Sequence, residues 1–167
     1  MSHADHRARA PSSVRCLVLT ISDTRTLETD RSGGAIAGLL VEAGHSVVDR
    51  AIVKDNREAV RAALAAGLDR SDAQVVISTG GTGIASRDNT FEAIGEVLEK
   101  RLDGFGELFR MLSYEEIGSA AMLSRALAGT ARGKVLLALP GSEHAVRLAM
   151  TKLILPELGH LVREVTR

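Results

Sequence analysis

The chain has 167 residues, 45% of them hydrophobic and 25% charged, with 21 Lys+Arg against 21 Asp+Glu and a formal net charge of zero. That length suits one domain with a full hydrophobic core. The even charge balance argues against a general nucleic-acid or membrane-surface binder, which carries a basic excess.

Residues 1–13, MSHADHRARAPSS, are polar and lack the apolar stretch of a signal peptide. They read as a disordered tail before a single domain over residues 14–167. His3 and His6 could bind a metal, but two histidines on a loose tail usually do not. Residues 14–21 (VRCLVLTI) predict a buried strand. The strand holds Cys16, the one cysteine of the chain, so no disulfide can form within it and the residue reads as a small core side chain. Residues 32–43 predict a helix closed by Gly44, and residues 45–53 a second strand. Residues 56–68 predict a second helix, with Asp55 as N-cap of a capping box completed by Glu58. A short strand follows at 74–78, then a glycine-rich loop and a helix over 89–100. Residues 104–127 look helical, interrupted near Gly118. Residues 128–139 predict a hairpin turning at Arg132-Gly133. After Pro140-Gly141-Ser142 a long amphipathic helix runs over 143–162, kinked or divided by Pro156. No apolar run approaches the ~20 residues of a membrane span. Strands alternating with crossover helices imply an α/β fold, with a mainly parallel sheet covered on both faces.

In such a sheet, ligands bind beyond the carboxyl ends of the strands. The residues placed there are Ser22-Asp23, Lys54-Asp55, Thr79-Gly80-Gly81-Thr82-Gly83 and Pro140-Gly141-Ser142. The glycine loop carries the strongest signal. Three glycines in five residues let the backbone turn without Cβ clashes, so successive N–H groups can face one anion. Thr79 and Thr82 add hydroxyls, and the next helix start adds partial positive charge. A tight turn with no ligand is the weaker alternative.

The loop is neither a Walker A motif, since Ile84 and Ala85 follow Gly83 instead of Lys-Ser/Thr, nor a G-x-G-x-x-G fingerprint. Asp55 and Asp88 follow strand ends, where two carboxylates with phosphate oxygens can hold Mg²⁺; both positions equally suit a helix cap. Arg87 and Arg125 have the forked guanidinium that grips phosphate, although an isolated Arg is more often solvated. Pro140-Gly141-Ser142 before a helix makes a second anion site or a plain turn. The aromatic residues Phe91, Phe105, Phe109 and Tyr114 fall close together in sequence, which favours a packing cluster or a subunit contact. His144 and His160 are too far apart to form a metal pair.

Several motifs in order resemble the molybdenum cofactor biosynthesis protein B family, within the wider group of molybdopterin-binding domains. They are Ser22-Asp23-Thr24-Arg25, Asp30-Arg31-Ser32-Gly33, the loop from Thr79 to Gly83, Arg87-Asp88, the run GFGELFR from Gly104, the run SYEEIG from Ser113, Ala121-Met122-Leu123-Ser124-Arg125 and Leu139-Pro140-Gly141-Ser142. The similarity runs from about residue 14 to the C-terminus. It implies a three-layer α/β sandwich with a mixed sheet, a homotrimer or homohexamer, a cytoplasmic location and molybdopterin as ligand, with other enzymes of the pathway as partners. In active relatives, molybdopterin is adenylylated with Mg-ATP and pyrophosphate leaves. Asp55 and Asp88 match their essential acidic residues and would hold Mg²⁺. The residues from Thr79 to Gly83, with Ser124, Gly141 and Ser142, match positions around pterin and phosphate; Ser22, Asp23 and Arg87 are candidates on the nucleotide side. Two departures stand out: Ser86 where a Pro is usual, and Glu143 after Gly141-Ser142. The alternative function is a non-catalytic molybdopterin carrier or scaffold, and a module for some other phosphorylated metabolite is the third.

Overall fold

The computed structural model describes residues 2–167, the side chains of His3 and His6 excepted, so a metal role for that pair lies outside the described residues. Three long apolar runs become the middle of a six-stranded sheet: β1 (Arg15–Ile21), β3 (Val75–Thr79) and β6 (Lys134–Leu139). All five residues of β3 are buried, which fits a strand covered on both faces. With β2 (Ser46–Val53), β4 (Lys100–Arg101) and β5 (Leu127–Ala131), the order is β2-β1-β3-β6-β5-β4. The pairs β1–β2, β1–β3 and β3–β6 are parallel, while β5 pairs antiparallel with both β6 and β4. The sheet is therefore mixed, with a parallel half and an antiparallel half.

Alternation along the strands feeds two cores. Cys16, Val18 and Ile77 pack on one face with Ile36, Leu40, Phe109 and Leu158. Leu17, Leu19 and Val76 pack on the other with Val60, Leu64 and Ile94. The helices contributing these residues are α2 (Arg31–Glu42), α5 (Asp103–Ile117) and α7 (Leu155–Val165) on the first face, and α3 (Arg57–Asp69) and α4 (Thr90–Val97) on the second. A helix α6 (Glu143–Ala149) lies against α2. Among the described residues no helix is long and apolar enough to cross a membrane.

Four local expectations change. Asn56, not Asp55, caps α3: its side-chain oxygen accepts from the Ala59 N–H at 2.8 Å. The helix expected to reach residue 100 stops at Val97, because the Glu99 N–H bonds to the Thr130 carbonyl and the chain joins the sheet as β4. After Gly118 (φ +66°) the chain continues as a 3₁₀ turn, Gly118–Leu123. The tail carries a short helix, α1 (His3–Ala8), capped by Ser2 and tied to α7 through an Arg7–Glu157 ion pair. Its Pro11 carbonyl lies so close to Gly159 that a Cβ there would collide with it. Composition alone does not reveal that docking.

Pro156 divides the last helix as expected. Lacking an N–H, it cannot continue the preceding ladder, and Met150–Ile154 widens to a π turn before α7 begins. Arg132 (φ 51°) and Gly133 (φ 73°) make the hairpin turn between β5 and β6.

Cys16 is fully buried, and burial pushes its thiol up to about 12, so almost no reactive thiolate exists near neutral pH. The folded protein should resist a disulfide-exchange reagent at pH 7.5, while the denaturant-unfolded chain releases one thiol equivalent at once. Prompt reaction of the folded form would show that this face of the sheet opens to solvent.

Candidate functional site

Strands β2 and β3 flank β1 on opposite sides, and their crossover helices lie on opposite faces. The chain therefore diverges at the carboxyl ends of β1 and β3, the place where open α/β sheets leave a crevice. The four strand-end segments meet there. The Ser22 N–H bonds to the Val53 carbonyl at 2.9 Å and the Gly80 N–H to the Leu139 carbonyl at 3.0 Å. The Asp55 N–H bonds to the Asp23 carboxylate at 3.0 Å, and the Ser32 hydroxyl reaches the Gly141 carbonyl at 2.6 Å.

The glycine loop is wedged among these neighbours. Gly80 (φ +92°) and Gly81 (φ +70°) occupy the left-handed region. A Cβ on Gly80 would strike the Ile21 carbonyl, one on Gly81 would sit 2.9 Å from the Thr90 methyl, and one on Gly83 would strike the Asp88 carboxylate. Gly141 packs against Gly80, with room for only an ordinary contact. Thr79 is fully buried and donates to the Pro140 carbonyl at 2.7 Å, so its hydroxyl proton braces the loop. Thr82 is half-buried further along the loop.

On one side of the loop lies a cavity of about 190 Å³, reached by Ser22, Arg25, Asp30, Ser32, Thr79 and Gly80. Asp30 is its buried carboxylate. It accepts from the Thr20 hydroxyl at 2.6 Å, the Gly33 N–H at 2.9 Å and the Arg50 guanidinium at 3.2 Å, and so caps α2 as well. Ser22 accepts from the Thr24 and Arg25 N–H groups.

On the other side are the two predicted acidic residues. The Thr90 hydroxyl donates to Asp55 Oδ1 at 2.6 Å, and the Ala85 N–H donates to Asp88 Oδ2 at 2.9 Å. Asp55 Oδ2 and Asp88 Oδ1 receive no hydrogen bond from the described residues. Among the described residues no group of three or more His, Cys, Asp or Glu side chains gathers as a metal cluster. Each of the two carboxylates keeps one oxygen of the type that, together with phosphate and water, ligates Mg²⁺.

The remaining candidates divide. Arg87 is exposed beside Asp88. Ser142 caps α6 by accepting from the Ala145 N–H at 3.2 Å, so its hydroxyl serves the helix. Glu143 pairs with Arg147 one turn on, at 3.1 Å, which offsets the negative charge beside Ser142. Ser124 is half-buried and makes no side-chain bond to the loop. Its neighbour Arg125 does: the guanidinium grips the carbonyls of Thr82 and Gly83 and the Glu92 carboxylate, and stacks 4.5 Å from the Phe91 ring centroid. The aromatic residues form no single cluster, since Phe109 is core, Phe91 supports Arg125 and Tyr114 is exposed.

A larger cavity, about 460 Å³, runs along α2 and α6 and includes none of residues 79–83, Asp55 or Asp88. Size does not decide here; convergent polar groups do. Thr20, Asp30 and Thr90 were not assigned to the site from the sequence; of the three only Asp30, an Asp at a helix start, carries a local signal. Arg125 was expected to grip phosphate, and it holds the loop carbonyls and Glu92 instead.

A family model described as a probable molybdopterin binding domain matches residues 17–160. A molybdenum cofactor biosynthesis protein B from Bacillus anthracis is 56% identical over 168 residues, covering 100% of this chain and 99% of the relative. Among solved structures, a molybdenum cofactor biosynthesis protein B superposes with a TM-score of 0.91 at 57% identity, over 94% of this chain and 98% of the other. The tungsten cofactor synthesizing protein MoaB from Pyrococcus furiosus follows at 0.84 and 38% identity, over 95% and 100%.

Proposed function

The chain belongs to the molybdenum cofactor biosynthesis protein B family, and on that footing we propose that it binds molybdopterin at the glycine loop and adenylylates it with Mg-ATP. The observation that carries this reading is the contact of Gly83 with the Asp88 carboxylate. It brings an anion-binding backbone and a metal-type carboxylate to one point. The loop N–H groups hold the terminal phosphate of molybdopterin. One of its oxygens attacks the α-phosphorus of ATP. A new P–O–P bond forms, the bond from the α-phosphorus to the bridging oxygen breaks, and pyrophosphate leaves with that electron pair. The attacking oxygen is already anionic, so the chain need not remove a proton. Asp55 and Asp88 would hold Mg²⁺, which when bound offsets the charge of the ATP phosphates. Thr90 fixes the Asp55 rotamer and the Ala85 N–H fixes that of Asp88. The exposed apolar residues Met111, Tyr114, Ile117, Met122 and Leu123 support a homo-oligomer that covers them.

Pyrophosphate release from molybdopterin, ATP and Mg²⁺ tests the reaction. Asp88→Asn is expected to slow release by about a hundredfold or more while molybdopterin still binds. Equal rates for wild type and variant would sink this mechanism. Binding without any release by wild type would leave a molybdopterin carrier.

A further inference from the structure

Arg125 is held from three directions behind the glycine loop. Its Nε donates to the Thr82 carbonyl at 3.0 Å, one terminal nitrogen donates to the Gly83 carbonyl and the other to the Glu92 carboxylate, with Phe91 beneath. This bond with Arg125 also holds the Glu92 carboxyl below its ordinary range. Each of the three guanidinium nitrogens thus donates to the protein, so the fork that its residue type offered to phosphate is set against the loop and Glu92.

We propose that Arg125 is a positioning residue that forms the phosphate site indirectly, by aiming the N–H groups of Gly83 and Ile84. In a planar trans peptide the C=O and N–H point in opposite directions, and both peptide units here are trans. The Thr82 carbonyl shares its unit with the Gly83 N–H, and the Gly83 carbonyl shares its unit with the Ile84 N–H. Pulling both carbonyls toward Arg125 turns both N–H groups away from it, side by side, as a donor pair for one anion. Neither N–H has a protein acceptor among the described residues. Glycines leave this backbone free to rotate unless something outside the loop holds it. The clasp also seats Asp88, which lies against Gly83. A lysine could not replace it, because one ammonium cannot span two carbonyls and a carboxylate as a planar fork does. This inference rests on the loop being the phosphate site of the proposed function.

Titration of the ¹⁵N-labelled full chain with inorganic pyrophosphate, followed at the Gly83 and Ile84 amide resonances, tests it without molybdopterin or turnover. Wild type should show saturable shifts at both amides. Arg125→Ala and Arg125→Lys should each weaken pyrophosphate binding by about tenfold or more, the scale of one lost charge-assisted hydrogen bond. If the alanine variant does not fold, the lysine variant carries the comparison. Wild-type affinity in a folded Arg125 variant overturns the proposal, and so do wild-type amides that do not move. Intact amide shifts in a wild-type protein that neither binds molybdopterin nor releases pyrophosphate would count against the proposed function and leave the clasp standing.

Discussion

Gly80→Ala should destabilise the fold by about 2–5 kcal/mol and abolish molybdopterin binding. Two independent penalties combine at this residue. Its φ of +92° places a Cβ in strain, at about 1–2 kcal/mol. The same Cβ would strike the Ile21 carbonyl, and relieving such overpacking costs about 1–3 kcal/mol. That carbonyl ends β1 and cannot swing aside as a long side chain would. On its other flank Gly80 meets Gly141, and its N–H is bonded to the Leu139 carbonyl. The loop must therefore lift away from both strands, taking the donor groups with it. Gly141→Ala is the matching control. Its Cβ would meet the Gly80 Cα at 3.4 Å, an ordinary contact, and its φ is not in the left-handed region. Urea unfolding of both variants gives the comparison. Equal stabilities would show that Gly80 is not pinned between β1 and β6.

Asp30→Ala is expected to cost about 3–5 kcal/mol, the scale of removing one partner from a buried ion pair. The carboxylate serves three donors at once from a buried position. Its loss strands the Arg50 guanidinium, whose Nε is already buried without a partner. It also orphans the Thr20 hydroxyl and uncaps α2. Asp30→Asn keeps the shape but turns an amide donor toward Thr20 and Arg50, or toward the Gly33 N–H, so it should recover only part of the loss. Thermal melting orders the three proteins as wild type, Asn, Ala. An alanine variant that melts with wild type would mean that Arg50 and Thr20 find other acceptors, and that the cavity wall does not depend on this carboxylate.

Both residues lie in motifs visible in the sequence, yet only one was readable as to cause. Three glycines after an apolar run signal a backbone that must turn tightly, and Gly80 and Gly81 do so. Asp30 stood only in the Asp30-Arg31-Ser32-Gly33 motif; its capping of α2 and its bonds to Thr20 of β1 and Arg50 of β2 appear in the folded chain. Asp55 shows the limit of local reasoning more sharply. Asp55 and Asn56 are both good caps; Asn56 takes the helix, and Asp55 is left to receive the hydroxyl of Thr90, 35 residues away. Arg125 likewise has the side chain of a phosphate reader, and the loop carbonyls 42 and 43 residues earlier engage it first.

The alternation of strands and helices, the largely parallel pairing, the break at Pro156 and the family are legible in the sequence. Those follow from apolar periodicity, from the missing N–H of proline and from ordered motifs, all of which act over short stretches of chain. The division of labour at the strand ends emerges only in the folded chain: which aspartate caps a helix, which receives a distant hydroxyl, and which arginine holds the loop. Several residues of equal local aptitude compete for each hydrogen-bonding partner there. The winner is set by which side chains the crossovers bring within about 3 Å, a distance that no local pattern encodes.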